Sequence, residues 1–314
     1  MKYRTLGKTG LKVSLASFGT GGPSQFGQRK GLEQRQQTAL VRRCLELGVN
    51  LFDTHEGYGE SEIILGEALQ GVPRDSYHLV TKWSYHSGGG VGRDAAAFAE
   101  SVERSLTRLN TDYVDVMMIH GILAAEYDSV MERFAPTLER LCEQGKVRFK
   151  GFSTRYIVDP AQEILPVAMR TDPDFWDVVM LKYGILNQIA AKEALPLAME
   201  HDIGVLNMAS VRIKLPVPAL LEELIAEWKI VGYIAHDSVP ASDPLGWLVR
   251  GDVDSVVSAA YKFAAEHPAI ASVITGTSSM AHLDANIAAL QEPRLPKEDS
   301  TRLKTLFGDI AEYA

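Results

Sequence analysis

The chain alternates short apolar runs with amphipathic stretches of helical period, and this order restricts the fold more than any other feature. Eight runs of strand length end in polar residues or glycine, and a helical pattern follows each of them. Parallel strands need a crossover of about a dozen residues between them, which a helix usually supplies. The runs occupy 14–20, 50–53, 78–83, 114–120, 149–154, 178–183, 204–210 and 272–277. The pattern therefore predicts repeated βαβ units on a parallel sheet.

A (β/α)₈ barrel, or TIM barrel, is an α/β fold closed by eight parallel strands. It typically takes about 250 residues. The 314 residues of the chain leave a surplus for extra elements. We expect it in 211–252, which contains the amphipathic ALLEELIAEW, and in an extra C-terminal helix within 293–314. The N-terminal YRTLGKTGLKVS has a glycine turn between two β-like pieces and predicts a hairpin that closes the bottom of the barrel.

An open doubly wound sheet is the competing fold. It would be favoured by a glycine fingerprint after the first strand, but FGTGGPSQFG does not match G-x-G-x-x-G and places Pro23 where the helix should begin. A Pro/Ser-rich linker or a break in composition would mark a domain boundary, and the sequence has neither. We therefore expect one barrel domain over residues 1–314.

Composition narrows the class of protein. Hydrophobic residues make up 46% and charged residues 23%, as in folded soluble proteins, and the net charge of −8 argues against nucleic-acid binding. Cys44 and Cys142 lie in segments of helical period, which indicates structural thiols in a reducing compartment. The N-terminus lacks an apolar signal region, and no run is long enough to span a membrane. A cytoplasmic location is expected.

Polar side chains stand at the ends of the predicted strands. In a parallel barrel the carboxyl ends of all the strands meet at one face, where the catalytic residues of this fold lie. Polar groups are costly to bury without a partner, so core packing does not select them. The strand-end residues are Asp53 with Tyr58, Lys82, His120, Ser153 with Thr154, and Tyr183. We expect them to form a site at the mouth of the barrel.

Four of these residues form a chemically consistent set. Asp53 and Lys82 belong to neighbouring strands, so a buried carboxylate can pair with a buried ammonium. A cation near Tyr58 stabilises the phenolate and lowers the tyrosine pKa, which makes the hydroxyl a usable proton donor or acceptor. His120 on the next strand can hydrogen-bond a carbonyl or hydroxyl oxygen and orient the substrate.

The order of these motifs resembles the aldo-keto reductases, a barrel superfamily that moves hydride between nicotinamide cofactors and carbonyl groups. FDTHEGYG, VTKW and DVMMIH are similar to the segments that carry the family's aspartate, tyrosine, lysine and histidine tetrad. RTLGKTGLKVS resembles the family's N-terminal hairpin, GESEIILGEAL its second helix, and SVITGTSSMAHLDANIAAL its eighth strand and cofactor loop. The resemblance therefore extends over nearly the whole chain.

The resemblance implies a role for each matching residue. Tyr58 would be the general acid toward a carbonyl or the general base toward an alcohol, Lys82 would tune it, Asp53 would hold Lys82, and His120 would orient the substrate. Tyr183 resembles the aromatic residue that stacks on the nicotinamide ring. The cofactor residues implied in addition are Ser153 and Thr154 at the carboxamide, and Gly276, Thr277, Ser278, His282 and Asn286 at the adenosine phosphate.

Several positions depart from the family pattern. Thr154 stands where asparagine is usual and Met180 where a carboxamide-binding glutamine is usual, so the orientation of the nicotinamide ring is in question. On the adenosine side, Gly276 replaces a lysine and His282 an arginine or glutamine. A 2′-phosphate prefers charge-assisted donors, so this loop favours NAD over NADP slightly.

Alternatives remain open for several residues. Asp53 and Lys82 would also serve as a structural pair, and Tyr183 and Met180 as plain core. His55 and Glu56 either contact substrate or are solvated, and His86 belongs to a glycine-rich loop, 84–93. The sequence has no H-x-H pair, HExxH motif or closely spaced Cys/His set, which argues against a metal-dependent hydrolase.

The sequence predicts an NAD(P)-dependent oxidoreductase that acts on an aldehyde, a ketone or a sugar hydroxyl or hemiacetal, similar to bacterial aldose dehydrogenases. The His55–Glu56 insert and the net charge of −8 favour a neutral polyol or sugar over an anionic substrate. The alternative is a regulatory subunit that binds nicotinamide on the same barrel with little or no turnover.

Overall fold

The structure is a computed structural model that describes residues 1–84, 86, 94–292 and 294–312. Within these residues the strands are β1 (Tyr3–Thr5), β2 (Lys12–Ser14), β3 (Ala16–Gly19), β4 (Leu51–Asp53), β5 (His78–Trp83), β6 (Val114–Ile122), β7 (Val147–Thr154), β8 (Val178–Lys182), β9 (Gly204–Met208) and β10 (Ile270–Thr275). The α-helices are α1 (Gln34–Glu46), α2 (Ser61–Ala68), α3 (Ala95–Leu109), α4 (Tyr127–Glu143), α5 (Ile164–Thr171), α6 (Ala194–Glu200), α7 (Pro218–Ile230), α8 (Val256–Glu266), α9 (Met280–Gln291) and α10 (Lys297–Phe307).

Strands β3 to β10 form a closed parallel barrel in chain order. Each strand pairs with the next, and β10 pairs with both β9 and β3, with Val273 opposite Ala16. A helix follows every barrel strand, as parallel connections require. The predicted (β/α)₈ fold is confirmed.

Side chains alternate between the inside and the outside of the barrel because successive strand residues point to opposite faces. Large outward residues, such as Phe52, Trp83 and Phe152, are buried between the strands and the helices. The inward residues fill the barrel as a separate cluster of Leu51, Val80, Val116, Met118, Val178, Met180, Leu206 and Ala271. The inward polar residues Asp53, Lys82 and His120 lie where this apolar filling stops, at the carboxyl ends of their strands.

The N-terminal hairpin closes the opposite end of the barrel. Strands β1 and β2 pair antiparallel, and Leu6, Leu11 and Val13 join the inward cluster. The turn needs glycine at position 7, where φ is +47° and a Cβ would lie 2.4 Å from the Asp202 carbonyl oxygen. The predicted hairpin is confirmed, and apolar residues seal this end of the barrel.

The surplus of the chain lies in the two predicted places. Helix α7 falls within 211–252, between β9 and α8, and α10 falls within the C-terminal segment. Buried Trp228 of α7 and Phe307 of α10 pack with their ring centroids 5.5 Å apart. That residues 1–314 form one domain stays a prediction.

The two cysteines differ in exposure. Cys44 is buried on α1, where burial raises the pKa of its thiol, while Cys142 on α4 is partly exposed and burial raises its pKa to about 11. Raised values leave both as thiols near neutral pH. In the described part of the chain, no helix combines the length and apolar character needed to cross a membrane.

Candidate active site

A buried ion pair lies at the mouth of the barrel. Asp53 ends β4 and Lys82 lies near the end of β5, and both occupy inward positions of neighbouring strands. The Lys82 Nζ lies 2.5 Å from Asp53 Oδ1, and Lys82 also donates to the Thr54 carbonyl oxygen at 2.8 Å. The side chain of Lys82 is only 1% exposed, and that of Asp53 is 7% exposed. The structure thus brings together the first two residues of the predicted set.

Burial and ion pairing shift the pKa values of Asp53 and Lys82 in opposite directions. Burial raises the pKa of Asp53, and the neighbouring ammonium of Lys82 offsets only part of that rise. For Lys82, burial lowers the pKa, but the carboxylate of Asp53 and the nearby Tyr58 outweigh burial, so the net pKa is raised. Lys82 is therefore held as an ammonium next to Tyr58.

Tyr58 lies against this ammonium. The Lys82 Nζ is 5.3 Å from the centroid of the half-buried Tyr58 ring. The Tyr58 carbonyl oxygen accepts a hydrogen bond of 2.9 Å from Gln28 Nε2. On the other side, a Cβ at Gly21 would lie 2.6 Å from Tyr58 Cε2 and 3.0 Å from its hydroxyl oxygen. Gly21 is therefore required for the approach of the Tyr58 ring.

His120 is a neutral hydrogen-bonding group. Its Nδ1 lies 2.6 Å from Ser153 Oγ, which accepts the Gly121 N–H at 3.2 Å. Burial lowers the pKa of His120 well below its usual range, and His55, Lys82 and Arg155 lower it further. Because the Ser153 hydroxyl can donate its own proton to Nδ1, the imidazole proton is favoured on Nε2. With this tautomer, His120 is a hydrogen-bond donor at Nε2.

His55 and Glu56, left open by the sequence, have different environments. His55 is buried, and its ring centroid lies 4.9 Å from those of both Tyr58 and His120. Glu56 instead turns toward α3, where it accepts a 2.6 Å hydrogen bond from Ser101 Oγ. Of the two, only His55 belongs to the site.

A cavity of about 420 Å³ opens above these groups. Its lining residues come from the carboxyl ends of several strands and the loops after them: Tyr58, Ser84, His86, His120, Gly121, Thr154, Arg155, Tyr156, Ile157, Val158, Met208 and Arg212. This volume is in the range of small-molecule sites. Tyr58 and His120 line the same cavity.

Arg155 and Arg212 place cationic groups in the wall of the cavity, and Lys182 lies next to the lining residue Tyr156. Arg212 donates a 2.7 Å hydrogen bond to the Tyr156 hydroxyl, and Lys182 Nζ lies 5.0 Å from the Tyr156 ring centroid. Burial lowers the pKa of Lys182 to about 8 against the opposing effect of Glu312, and Arg212 contributes to the lowering. This wall suits an anionic or strongly polar ligand group.

The residues predicted at the carboxamide lie at the end of β7, but their hydroxyls already have partners. Ser153 bonds to His120, and the Thr154 hydroxyl donates to Gln162 Oε1 at 3.0 Å. Both side chains are buried, and Thr154 lines the cavity. Their contact with a nicotinamide amide stays a prediction.

The residues predicted at the adenosine phosphate follow β10 at the same end of the barrel. Gly276 and His282 are exposed, Asn286 is buried on α9, and Ser279 caps that helix by accepting the His282 N–H at 3.4 Å. The other predicted residues there, Thr277 and Ser278, are partly exposed. This placement is compatible with a loop that contacts a bound cofactor.

The structure does not bring Tyr183 to the mouth. Its ring is buried outside the barrel and stacks on Phe263 of α8, with centroids 5.6 Å apart. Strand alternation explains this, because Val178, Met180 and Lys182 point inward and Tyr183 points outward. Met180 is plain inward core, as one of its two interpretations held.

Several residues of the site escaped the sequence argument. Lys182 could have been predicted from the sequence, since it occupies an inward position of β8 and ends the strand. Gly21, Tyr156, Met208 and Arg212 lie in or next to loops and carry no local signal. Within the glycine-rich segment 84–93 only Ser84 and His86 are described; His86 lines the cavity and lies 3.1 Å from Glu126.

No group of three or more His, Cys, Asp or Glu side chains able to hold a metal ion occurs among the residues the structure describes.

The fold and the site define a parallel barrel with polar, ionisable residues at the carboxyl ends of its strands, the arrangement of a barrel enzyme. Residues 17–307 match the Aldo/keto reductase family. The chain belongs to the aldo/keto reductase family, and the resemblance drawn from its motifs is confirmed. This membership supports an oxidoreductase.

Individual relatives cover nearly the whole chain. An L-galactose dehydrogenase of Arabidopsis thaliana is 30% identical over 303 residues, which are 93% of this chain and 89% of that protein. A probable voltage-gated potassium channel subunit beta of Oryza sativa subsp. japonica is 26% identical over 307 residues, 92% of this chain and 91% of that protein. A holo-form aldo-keto reductase of Bacillus halodurans superposes with a TM-score of 0.72 at 25% identity, covering 100% and 97% of the two chains.

Proposed function

We propose that the protein is an NAD(P)-dependent oxidoreductase that transfers hydride between nicotinamide and an aldehyde, a ketone or a sugar hydroxyl or hemiacetal. The observation that carries the proposal is the buried Lys82–Asp53 pair beside Tyr58, with His120 facing the same cavity. A structural ion pair alone would not need a tyrosine and a neutral histidine at the same cavity.

In this proposal each residue acts on a proton or an oxygen. Tyr58 gives its hydroxyl proton to the carbonyl oxygen during reduction and takes a proton from the alcohol during oxidation. The ammonium of Lys82 stabilises the phenolate that reduction leaves, and Asp53 keeps Lys82 charged and in place. His120 donates from Nε2 to the same substrate oxygen and orients it. The nicotinamide, when bound, supplies or accepts the hydride.

The site residues fit a dinucleotide. Arg212 lines the cavity, and its buried Nε has no hydrogen-bond partner among the described residues, so its guanidinium is not fully paired within the protein. Gly276 lies close to β3, where a Cβ would be 3.1 Å from the Gly19 carbonyl oxygen, so the loop approaches the barrel tightly. Arg212 and the loop 276–279 would hold the cofactor's polar groups.

We favour NAD over NADP. The segment 276–286, GTSSMAHLDAN, contains no lysine or arginine, and a 2′-phosphate is best held by such donors. The partner would be a small neutral carbonyl compound or sugar, and the two free thiols fit a cytoplasmic location.

A regulatory subunit is the second candidate, because one relative is named as a potassium channel subunit. Such a subunit would bind nicotinamide and turn over little or no substrate. Binding and turnover therefore have to be measured separately.

The first test is a fluorescence titration of the purified protein with NADH and with NADPH. The same protein is then assayed with 4-nitrobenzaldehyde and NADH or NADPH, and with L-galactose and NAD or NADP. Tight binding together with turnover supports the enzyme, binding without turnover supports the regulatory subunit, and no binding of either nucleotide contradicts both.

The second test replaces Tyr58 by Phe. Loss of the proton donor should lower turnover by about 10²–10⁴-fold and leave nucleotide affinity unchanged. Tyr233→Phe is the matched control, since Tyr233 is 63% exposed on the surface. Retention of most turnover by Tyr58→Phe would remove Tyr58 from its role.

A further inference from the structure

His55 connects the two groups that would contact the substrate oxygen. Its ring meets Tyr58 edge to face, with an interplanar angle of 61°, and lies tilted at 52° to the ring of His120. The centroid separation is 4.9 Å in both cases. One imidazole therefore packs against both the proposed proton donor and the proposed orienting residue.

Both nitrogens of His55 are hydrogen-bonded. Nδ1 accepts the Gly57 N–H at 3.0 Å, so the ring proton lies on Nε2, which is 3.0 Å from Ser84 Oγ. Gly57 belongs to the loop that carries Tyr58, and Ser84 follows β5, which carries Lys82. The ring is therefore fixed in two directions, by the loop and by the strand end.

Gly57 allows the ring to lie where it does. A Cβ at position 57 would be 2.7 Å from Cε1 of His55 and 2.9 Å from its Nδ1, and the next atom of the ring would be 3.9 Å away. Apart from the residues next to it in the chain, the three heavy atoms nearest to such a Cβ all belong to the His55 ring. A side chain at position 57 therefore requires the imidazole to move or to be absent.

We propose that His55, seated over Gly57, is a positioning residue that fixes the Tyr58 and His120 rings relative to each other. This inference rests on the proposed function. Tyr58, Ser84 and His120 line the cavity, and His55 lies behind them. It acts through these neighbours, without touching the substrate.

The catalytic consequence is geometric. The hydroxyl of Tyr58 and Nε2 of His120 must reach one substrate oxygen, and a displacement of about 1 Å in such a site can cost about a hundredfold in rate. Removing the His55 ring frees both neighbours to move. The effect should therefore fall on the rate of the chemical step, while nucleotide affinity is retained.

The test is a double-mutant cycle with His55→Ala, Gly57→Ala and the double variant. Each single variant should lower kcat by at least about tenfold, with the dissociation constant for NADH or NADPH within about twofold of wild type. In the double variant, kcat should be less than about twofold below that of His55→Ala, because the ring that a Cβ at position 57 would clash with is absent. His55→Asn keeps an acceptor for the Gly57 N–H without the ring, and it should behave like His55→Ala.

The same cycle is measured in thermal unfolding, which does not depend on turnover. Gly57→Ala should lower Tm by at least about 3 °C in wild type and by much less in the His55→Ala background. If wild type binds no nucleotide and has no turnover, the proposed function fails, and the positioning role fails with it, although the Tm cycle still reports the packing of His55 over Gly57.

Three results would overturn the inference on an active wild type. The first is a kcat of His55→Ala and His55→Asn within about twofold of wild type. The second is an equal loss of kcat and Tm on Gly57→Ala in wild type and in His55→Ala. That result would mean that glycine is required at position 57 by its backbone conformation and not by the His55 ring. The third is a loss of nucleotide affinity as large as the loss of kcat, which would make His55 a general structural residue.

Discussion

Two buried carboxylates, one at each end of the barrel, have opposite environments. Asp115, near the amino end of β6, receives hydrogen bonds from Arg74 at 2.8 Å, Arg148 at 2.7 Å and the Leu79 N–H at 2.9 Å. Asp53, at the carboxyl end of β4, faces the single ammonium of Lys82. The first carboxylate has a complete set of donors, and the second has one charged partner.

Their pKa values follow from these partners. Burial alone would raise the pKa of Asp115, but His78, Arg74 and the Leu79 N–H lower it to about 2. Burial raises the pKa of Asp53, and Lys82 compensates only in part. The amino end of the barrel therefore buries charge in a way that stabilises the fold. The carboxyl end buries charge at a cost, which the proposed function explains.

The largest effect should come from removing the ion pair at the mouth. The double variant Asp53→Asn/Lys82→Met should lose turnover by about 10³-fold, because the phenolate of Tyr58 loses its cation. Its free energy of unfolding should stay the same or rise by about 1 kcal/mol, since an uncharged replacement avoids the desolvation of two charges. Steady-state kinetics and urea unfolding measure the two quantities.

The matched control is the exposed pair of Lys2 and Glu292, whose side chains are 50% and 82% exposed. Lys2→Met/Glu292→Gln should change neither quantity. A large loss of stability in the Asp53/Lys82 variant would mean that this pair has a structural role, and the contrast between the two ends of the barrel would disappear.

The next largest effect should come from Asp115→Asn, which should lower stability and leave turnover unchanged, the reverse of the Asp53/Lys82 variant. Loss of this carboxylate leaves Arg74 and Arg148 without their shared partner, so unfolding should become easier by about 3 kcal/mol. Turnover per folded molecule should stay within about twofold of wild type, because the substitution lies at the other end of the barrel. Exposed Asp252→Asn is the control. An unfolding midpoint of Asp115→Asn equal to that of this control would contradict the assigned network.

The smallest effect concerns pH. The pKa of Asp115 is about 2 in the folded chain and about 3.9 in an unfolded one, so its stabilisation is present above pH 4 and is lost as the pH falls toward 2. The stability difference between wild type and Asp115→Asn should therefore shrink by about 2 kcal/mol between pH 5 and pH 2. Urea unfolding at several pH values measures this difference, and a constant difference over that range would refute the assigned pKa.

Strand order and barrel type could be predicted because their signals are local. Apolar runs of strand length followed by helical periods specify repeated βαβ units, and the glycine turn near Gly7 specifies the hairpin. The positions of Asp53, Lys82 and His120 at one face follow from strand polarity alone. Tyr183 shows the limit of this reasoning: being near a strand end did not decide which face its side chain joins. The alternation of β8 assigns the inward position to Lys182.

The sequence by itself determined the barrel, its hairpin and the residue types at its mouth, because periodicity and strand polarity are properties of neighbouring residues. Only the tertiary structure decided which loops meet there. The approach of Tyr58 to Gly21 joins the loops after β4 and β3, and the contact of His55 with His120 joins the loop after β4 to strand β6. Such contacts arise from packing in three dimensions, which no local pattern encodes.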